Sequence, residues 1–192
     1  MELNNIWGLP SHPLLVHLAV VLLPMAVIGA AVLVFIPRLR SQSWGLVILG
    51  LTFVAVVSVG LAQGSGEEFG ERVQKTDLVR AHIAMGESVS AWAILLGVGV
   101  AALVLVPWAQ KLVSQAGPGD ETDDAGPPKP GWLARLAPPL KKFLVDPVSR
   151  FARPIAIAAL VLTLIGGVGS AIQIVRVGHS GAAATWERVN GD

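Results

Sequence analysis

The chain has 192 residues, of which 53% are hydrophobic and 14% are charged, and its formal net charge is +1. Soluble domains carry about 25% charged residues, so this composition is typical of a membrane protein. The formal net charge does not bear on nucleic-acid binding, and the sequence has no basic motif, so we do not expect nucleic acid as a partner. The chain has no cysteine, which excludes disulfides, thiolate metal sites and covalently attached haem. Any haem would therefore be a non-covalent b-type haem.

Four apolar stretches are each long enough to cross a bilayer, which takes roughly 20 residues of α-helix. They cover approximately residues 14–36, 44–63, 83–107 and 154–175. The sequence therefore predicts an all-α protein, an integral membrane four-helix bundle. A soluble bundle of very apolar helices is the alternative, and the charge-free stretch Leu46–Ala62 argues against it. Because Met1–Pro13 has no Lys or Arg, we do not expect a cleaved signal peptide.

The first predicted span begins with a helix-capping signal and carries two histidines. Ser11 can cap the helix, and Pro13 suits its first turn. His12 lies at the helix start, and His17 lies about one turn inside the span, where an ionisable side chain usually faces the bundle interior and has a partner. His17 is therefore a candidate metal ligand, although a hydrogen bond to a neighbouring helix would also satisfy it. The two rings lie about 140° apart around a helix, so we do not expect both to bind one metal.

A short acidic loop, predicted at Gly64–Ala81, connects the second and third spans. Most of its carboxylates are expected to form a solvated face, although they are also possible ligands for a divalent metal.

The third span begins at His82, and its first turns hold further candidate site residues. Met85 and Gly86 follow His82 at i+3 and i+4, so they share its helix face. Imidazole and methionine are both axial ligands of haem iron, and a glycine leaves room for a porphyrin. Core packing is the simpler explanation for Met85. Glu87, which begins the deeper part of the span, is a less favoured metal ligand.

The third loop divides into two predicted segments. Residues 115–131 are rich in Pro, Gly and Asp and predict a disordered linker. Residues 132–151 combine Trp, Leu and Phe with Arg and Lys, which is typical of a short interfacial helix. A simple basic tether before the fourth span is an equally good interpretation.

The fourth span contains a run of small residues, Gly166–Ser170, which allows another helix, or a flat cofactor, to approach closely. His179 follows this span in a glycine-flanked segment that we expect to be a loop. Arg176 and Arg80 are predicted to lie at the level of the histidines. Arginines there can pair with haem propionates, or they can be ordinary interfacial residues.

Basic residues are unevenly divided between the two ends of the predicted bundle. The first and third loops hold nine of them: Arg38, Arg40, Lys111, Lys129, Arg135, Lys141, Lys142, Arg150 and Arg153. The opposite end holds five: Arg72, Lys75, Arg80, Arg176 and Arg188. Because Lys and Arg favour the cytoplasmic side, we expect both termini to be extracytoplasmic and the linker and interfacial segment to be cytoplasmic.

All four histidines are predicted to lie at the extracytoplasmic end. Successive spans cross in opposite directions, so the starts of the first and third spans and the end of the fourth share a face. Imidazole is the commonest metal ligand, so this convergence indicates a cofactor site. We predict His17 and His82 as axial ligands across the bundle, with His12 and His179 as a second pair or as donors to the ligands.

Several short motifs resemble those of a bacterial membrane family, that of domain of unknown function 2231. They are Gly8-Leu9-Pro10-Ser11-His12-Pro13-Leu14-Leu15-Val16-His17 followed by a mid-span proline, Glu68-Phe69-Gly70, Arg80-Ala81-His82 and Gly178-His179-Ser180-Gly181-Ala182. The resemblance covers all four spans, with Gln115–Phe151 as an insertion outside it. It implies a four-helix protein of the bacterial cytoplasmic membrane. Some members are associated with redox modules, which fits a haem role but assigns no residue.

Three functional hypotheses remain open. The leading one is a membrane-embedded b-type haem protein that transfers electrons near the extracytoplasmic face, with one haem or two. The second is a non-catalytic accessory subunit of a larger, respiratory-type membrane complex. The third is a non-haem protein that binds a divalent metal through histidines and acidic loop residues. The sequence has no catalytic triad, P-loop or dinucleotide fingerprint, so we expect an electron carrier or accessory subunit rather than a stand-alone enzyme. The expected partners are the lipid bilayer and either a membrane redox partner or a second copy of the chain.

Overall fold

The computed structural model describes residues 5–6, 9–41, 43–116 and 152–190. A two-residue antiparallel strand pair, β1 (Asn5–Ile6) and β2 (Leu9–Pro10), precedes the first helix. The helices are α1 (Ser11–Phe35), α2 (Ser43–Arg72), α3 (Asp77–Ala116) and α4 (Ala152–Asn190), with a 3-10 helix at Pro37–Ser41 between α1 and α2. All four α-helices are long and apolar enough to cross a membrane. The predicted all-α, four-helix membrane architecture is confirmed.

The helices form a ring in which each packs against its two neighbours. α1 packs on α2 and α3 packs most extensively on α4, while contacts of α2 with α3 and of α4 with α1 close the ring. α1 and α3 face each other across the diagonal of the bundle. The starts of α1 and α3 and the ends of α2 and α4 meet at one end, because His12 contacts Ala62 and His82 contacts Ser180. We call this the histidine end.

The core is a seam of small and branched apolar residues that recur every three or four positions. On α1 the buried apolar residues are Ala19, Leu23, Ala26, Ala30 and Leu33. On α3 they include Val89, Ala93, Leu96, Val100 and Leu103. This spacing is typical of helices that pack knobs into holes. Large apolar side chains such as Ile28, Phe53 and Val168 point outward, as lipid-facing residues do.

Glycines allow α3 and α4 to approach until their backbones touch. A Cβ atom at Gly99 would collide with the backbone of Thr163, and a Cβ atom at Gly166 would collide with the backbone of Leu96. Small residues at such contacts are how membrane helices gain close packing without a hydrophobic driving force.

At the end of α1 that lies opposite the histidine end, an arginine donates hydrogen bonds to the backbone carbonyls. The Nε of Arg40 donates to the Leu33 carbonyl at 2.8 Å, and its Nη2 donates to the Val34 carbonyl at 3.0 Å. These carbonyls belong to the last turn of the helix, where the backbone has few partners of its own. The 3-10 helix thereby turns the chain tightly from α1 into α2.

Two loop predictions are wrong. The acidic segment predicted as a loop at Gly64–Ala81 is mostly helical, because α2 continues to Arg72 and α3 begins at Asp77. His179 is also helical, because α4 continues to Asn190. Glycines indicated loops at both places, but tertiary contacts and an Arg72–Glu68 pair at 3.2 Å stabilise the helical backbone there.

The two predicted segments of the third loop are largely outside the described residues. Gln115 and Ala116, the first two residues of the predicted linker at 115–131, belong to α3. The rest of that linker and all of the predicted interfacial segment at 132–151 lie outside the part of the chain that the structure describes.

Candidate cofactor site at the histidine end

A cavity of about 980 Å³ opens at the histidine end, and all four helices line it. Ligand pockets in proteins typically enclose roughly 300–1,000 Å³, so the cavity can hold a sizeable organic cofactor. Its wall is mainly apolar. The side chains on the wall that carry ligating or acid–base groups are His12, His17, His82, Glu67 and Glu87.

His12 is held by the end of α2. Its Nδ1 lies 3.1 Å from the Ala62 carbonyl oxygen and 3.1 Å from the Ser65 hydroxyl. The ring packs directly on Gly66, where a Cβ atom would come within 2.8 Å of its Cε1. Phe69 stacks on the imidazole, with the ring centres 5.8 Å apart and the planes inclined by 17°. These contacts fix both the position and the plane of the ring.

His82 is held by the end of α4 in the same manner. Its Nδ1 lies 3.0 Å from the Ser180 hydroxyl, and the ring also hydrogen-bonds the Val177 carbonyl. The imidazole packs on Gly181, where a Cβ atom would come within 3.0 Å of its Cε1. A side chain at either supporting glycine would displace the ring.

The serine hydroxyls assign the tautomer of both histidines. Ser65 donates its proton to the Ala62 carbonyl at 3.0 Å, and Ser180 donates its proton to the Val177 carbonyl at 3.0 Å. Each hydroxyl oxygen can then only accept, so Nδ1 of His12 and of His82 must carry the ring proton. Nε2 is left with a free lone pair, which is the form of imidazole that binds a metal. No described residue forms a hydrogen bond to either Nε2.

The two imidazoles lie near each other on the cavity wall. Both rings are half-buried, and they are close enough to interact electrostatically. Because α1 and α3 are diagonal neighbours, the rings approach from opposite sides of the bundle. This arrangement can present two nitrogen ligands to one group between them.

His17 lies at the edge of the same cavity. Its side chain is exposed, and its Nδ1 donates to the carbonyl of Pro13 in its own helix at 2.6 Å. Glu87 is also exposed and lines the cavity from α3. Gly86 lines it too, and the space where its side chain would project is open. The predicted site residues His12, His17, His82, Gly86 and Glu87 are therefore brought together.

The structure places the other predicted site residues away from this cavity. His179 is exposed on α4, and Met85 is half-buried on α3, and neither lines the cavity. Arg80 is exposed and donates its Nε to the Lys75 carbonyl at 3.3 Å. Arg176 lines a different, smaller groove of about 470 Å³ between α3 and α4, next to Trp92.

Sequence reasoning missed Ser65, Ser180 and Phe69. A Ser-Gly pair occurs near the end of both α2 and α4, at Ser65-Gly66 and Ser180-Gly181. That recurrence, combined with the histidine at the start of α1 and of α3, was the available signal. No pattern in the sequence indicated the stacking of Phe69.

A family model described as "Predicted membrane protein (DUF2231)" matches residues 8–124 of the chain. The match includes α1, α2 and α3, and with them His12, His17 and His82, but it ends before α4. Residues 115–124, predicted to be part of an insertion, lie inside it. No curated protein and no solved structure shows a significant match. Since the match covers more than half of the sequence, the chain belongs to this DUF2231 family of predicted membrane proteins.

Proposed function

We propose that the protein is a membrane-embedded b-type haem protein that transfers electrons at the histidine end. The observation that carries the proposal is the pair of half-buried imidazoles on the wall of one large, mainly apolar cavity, each with an Nε2 to which no described residue hydrogen-bonds. A bundle interior is a common place for such a cofactor.

The number and type of available ligands fit haem. Haem iron needs only one or two protein ligands, and histidine is the usual one. A zinc site, by comparison, needs three or four protein ligands. Among the described residues, no three His, Asp or Glu side chains are grouped so that they could hold a metal ion. Bound in this cavity, haem would supply reversible one-electron chemistry.

Several residues of the cavity wall have a role in this proposal. His82 provides the ligand from α3, while α1 offers His12 and His17. Apolar residues such as Val59 and Ile174 exclude water from the cofactor. The open space beside Gly86 leaves room for a planar ring. Arg80 and Arg176, the predicted partners of haem propionates, do not line the cavity, so the proposal gives them no role.

The proposed location is the bacterial cytoplasmic membrane, with the histidine end outside the cytoplasm. The four apolar helices support a multi-pass membrane protein. The uneven distribution of Lys and Arg along the sequence supports the orientation.

The test is an absorption spectrum of the detergent-purified protein, oxidised and then reduced with dithionite, together with a pyridine haemochrome assay. We expect a Soret band and sharp α and β bands after reduction. His82→Ala should lose these bands or shift them strongly. His179→Ala is the matched control, because its exposed side chain lies outside the cavity wall and the spectrum should not change.

A featureless visible spectrum from protein produced with ample haem would overturn the proposal. Elemental analysis would then separate the two remaining hypotheses. A stoichiometric transition metal would indicate the non-haem metal protein, and its absence would leave the accessory subunit.

A further inference from the structure

The buried and cavity-lining positions of α1 recur on α3 at a constant distance in the sequence. His82 follows His12 by 70 positions (82 − 12 = 70). The same offset relates every buried apolar residue of α1 to a buried residue of α3: Ala19 to Val89, Leu23 to Ala93, Ala26 to Leu96, Ala30 to Val100 and Leu33 to Leu103. The helices therefore present equivalent faces to the core.

A second constant offset relates α2 to α4. Gly181 follows Gly66 by 115 positions (181 − 66 = 115). Seven cavity-lining residues of α2 have cavity-lining counterparts on α4: Val59 and Ile174, Ala62 and Val177, Gln63 and Gly178, Gly66 and Gly181, Glu67 and Ala182, Phe69 and Ala184, Gly70 and Thr185. The correspondence extends over about three turns of helix and skips no lining position of α2 within that stretch.

Contacts between helices repeat with the same two offsets. The ring of His12 rests on Ser65 and Gly66, and the ring of His82 rests on their counterparts, Ser180 and Gly181.

A second contact, in the half of the bundle away from the histidine end, repeats as well. A Cβ atom at Gly29 would meet Ile48, and one at Gly99 would meet the counterpart residue, Thr163. The α1–α2 hairpin and the α3–α4 hairpin are therefore two versions of one packing unit.

Equivalent hairpins arranged in this ring are related by a pseudo-twofold axis along the bundle. α1 and α3 run in the same direction, and the contact of α2 with α3 corresponds to the contact of α4 with α1. An axis of this kind runs along the membrane normal, as in transporters built from parallel repeats. The cavity lies on the axis, because counterpart residues of both hairpins line it.

We infer that the chain consists of two copies of one hairpin, in each of which a Ser-Gly pair supports a histidine, and that the cavity holds one haem on the pseudo-twofold axis. His12 and His82 are its two equivalent ligands. The inference rests on the proposed haem function and specifies its ligands and stoichiometry. A porphyrin has two like faces, so one ligand from each hairpin suits it. The repeat supplies one matched pair of histidines and therefore one cofactor.

His17 does not share this equivalence. Its counterpart at the offset of 70 is Glu87, and among the described residues its ring bonds only to its own helix. His12 is anchored on the neighbouring helix, as His82 is. The pair across the axis is thus His12 with His82, rather than His17 with His82 as the sequence predicted.

The experiment compares His12→Gly, His82→Gly and His17→Gly in the full-length protein, with and without added imidazole. Free imidazole can occupy the space that a deleted ring leaves and can restore a missing ligand. We expect His12→Gly and His82→Gly each to lose the low-spin spectrum and each to regain it with imidazole. His17→Gly should keep the spectrum without imidazole, and the wild-type protein should contain one haem per chain.

Retention of the low-spin spectrum in His12→Gly with its loss in His17→Gly would overturn the pairing while leaving the haem function intact. Two haems per chain would also overturn it. Absence of haem from the wild type would overturn both proposals together.

If His12→Gly loses its helicity by circular dichroism, His12→Gln is the second variant, because its amide can still donate to the Ala62 carbonyl. That variant should also lose the low-spin bands, and keeping them would contradict the inference.

Discussion

The hydroxyl groups of Ser65 and Ser180 determine how the two anchored histidines can act. Each serine donates to a carbonyl one turn earlier in its own helix, at 3.0 Å in both cases. The neighbouring imidazole must therefore donate through Nδ1, and Nε2 is left free to bind. Hydrogen bonds of this kind orient metal-ligating histidines and increase their basicity.

Removal of one serine hydroxyl should weaken cofactor binding without removing the ligand. For Ser180→Ala we expect a loss of roughly 10- to 100-fold in haem affinity, the usual effect of losing a hydrogen bond to a ligating histidine. Haem titration of the apoprotein measures this, and Ser180→Thr should restore most of the affinity because it keeps the hydroxyl. Ser90→Ala is the control, since Ser90 donates to the Glu87 carbonyl and does not line the cavity. Equal affinities for Ser180→Ala and wild type would contradict a positioning role.

The two histidines differ in one respect at this scale. Phe69 stacks on His12, whereas the counterpart of Phe69 near His82 is Ala184. The ring of His12 therefore has an additional aromatic contact, which a stacked geometry makes favourable by about 0.5–1.5 kcal/mol. The two histidines have equivalent polar contacts, but His82 has an alanine where Phe69 stacks on His12.

Among the helices, the pair α3 and α4 depends most on glycine. Gly166 lies against the backbone of Leu96, and Gly99 lies against the backbone of Thr163. A backbone cannot move aside as the end of a flexible side chain can, so a methyl group at either position forces the helices apart. Since each helix also contributes to the cavity wall, their separation is coupled to the shape of the site.

Gly166→Ala should destabilise the bundle, and a glycine in open space should not. We expect Gly166→Ala to lower the free energy of unfolding by about 1–3 kcal/mol, the typical cost of overpacking. Gly60→Ala is the matched control, because no atom lies within 4 Å of its added Cβ. Alanine favours helix over glycine by roughly 1 kcal/mol, so this control should be neutral or slightly stabilising. Thermal unfolding in detergent compares them, and a Gly166→Ala variant as stable as wild type would show that the contact is not tight.

At the scale of the whole molecule, the repeat and the orientation determine where the cavity opens. The pseudo-twofold axis runs along the bundle, and the cavity lies at its histidine end. The connection between α2 and α3 is at this end, and the 3-10 helix Pro37–Ser41 is at the other. Placing either connection relative to the membrane therefore places the site.

The absence of cysteine makes this orientation directly measurable. Gln74→Cys puts one thiol at an exposed position of the histidine end, and Ser41→Cys puts one at the opposite end. If the histidine end is extracytoplasmic, a membrane-impermeant maleimide should label Gln74→Cys in intact cells. Ser41→Cys should be labelled only after the membrane is permeabilised. The reverse pattern would refute the proposed orientation.

The sequence by itself determined the class of the protein and the number of its helices. An uncharged stretch such as Leu46–Ala62 has to satisfy its backbone within one helix when lipid surrounds it, so local composition is sufficient evidence. Alternating direction of the spans then predicted that His12, His17 and His82 approach one end, and all three line the cavity. Glycine-rich segments misled the prediction of where α2 and α4 end, because contacts with other helices override local propensity.

Only the tertiary structure decided which faces of the helices meet. α1 is apolar almost all around, so no stripe of hydrophobic residues marks its inner side. In lipid, contact between helices depends on small residues and close packing. A single sequence shows where the small residues are, but it does not show which helix each of them packs against. The anchoring of His12 by Ser65 and of His82 by Ser180 joins residues far apart in the chain. The repeat became visible for the same reason, since its two halves share buried positions and contacts more than they share residue types.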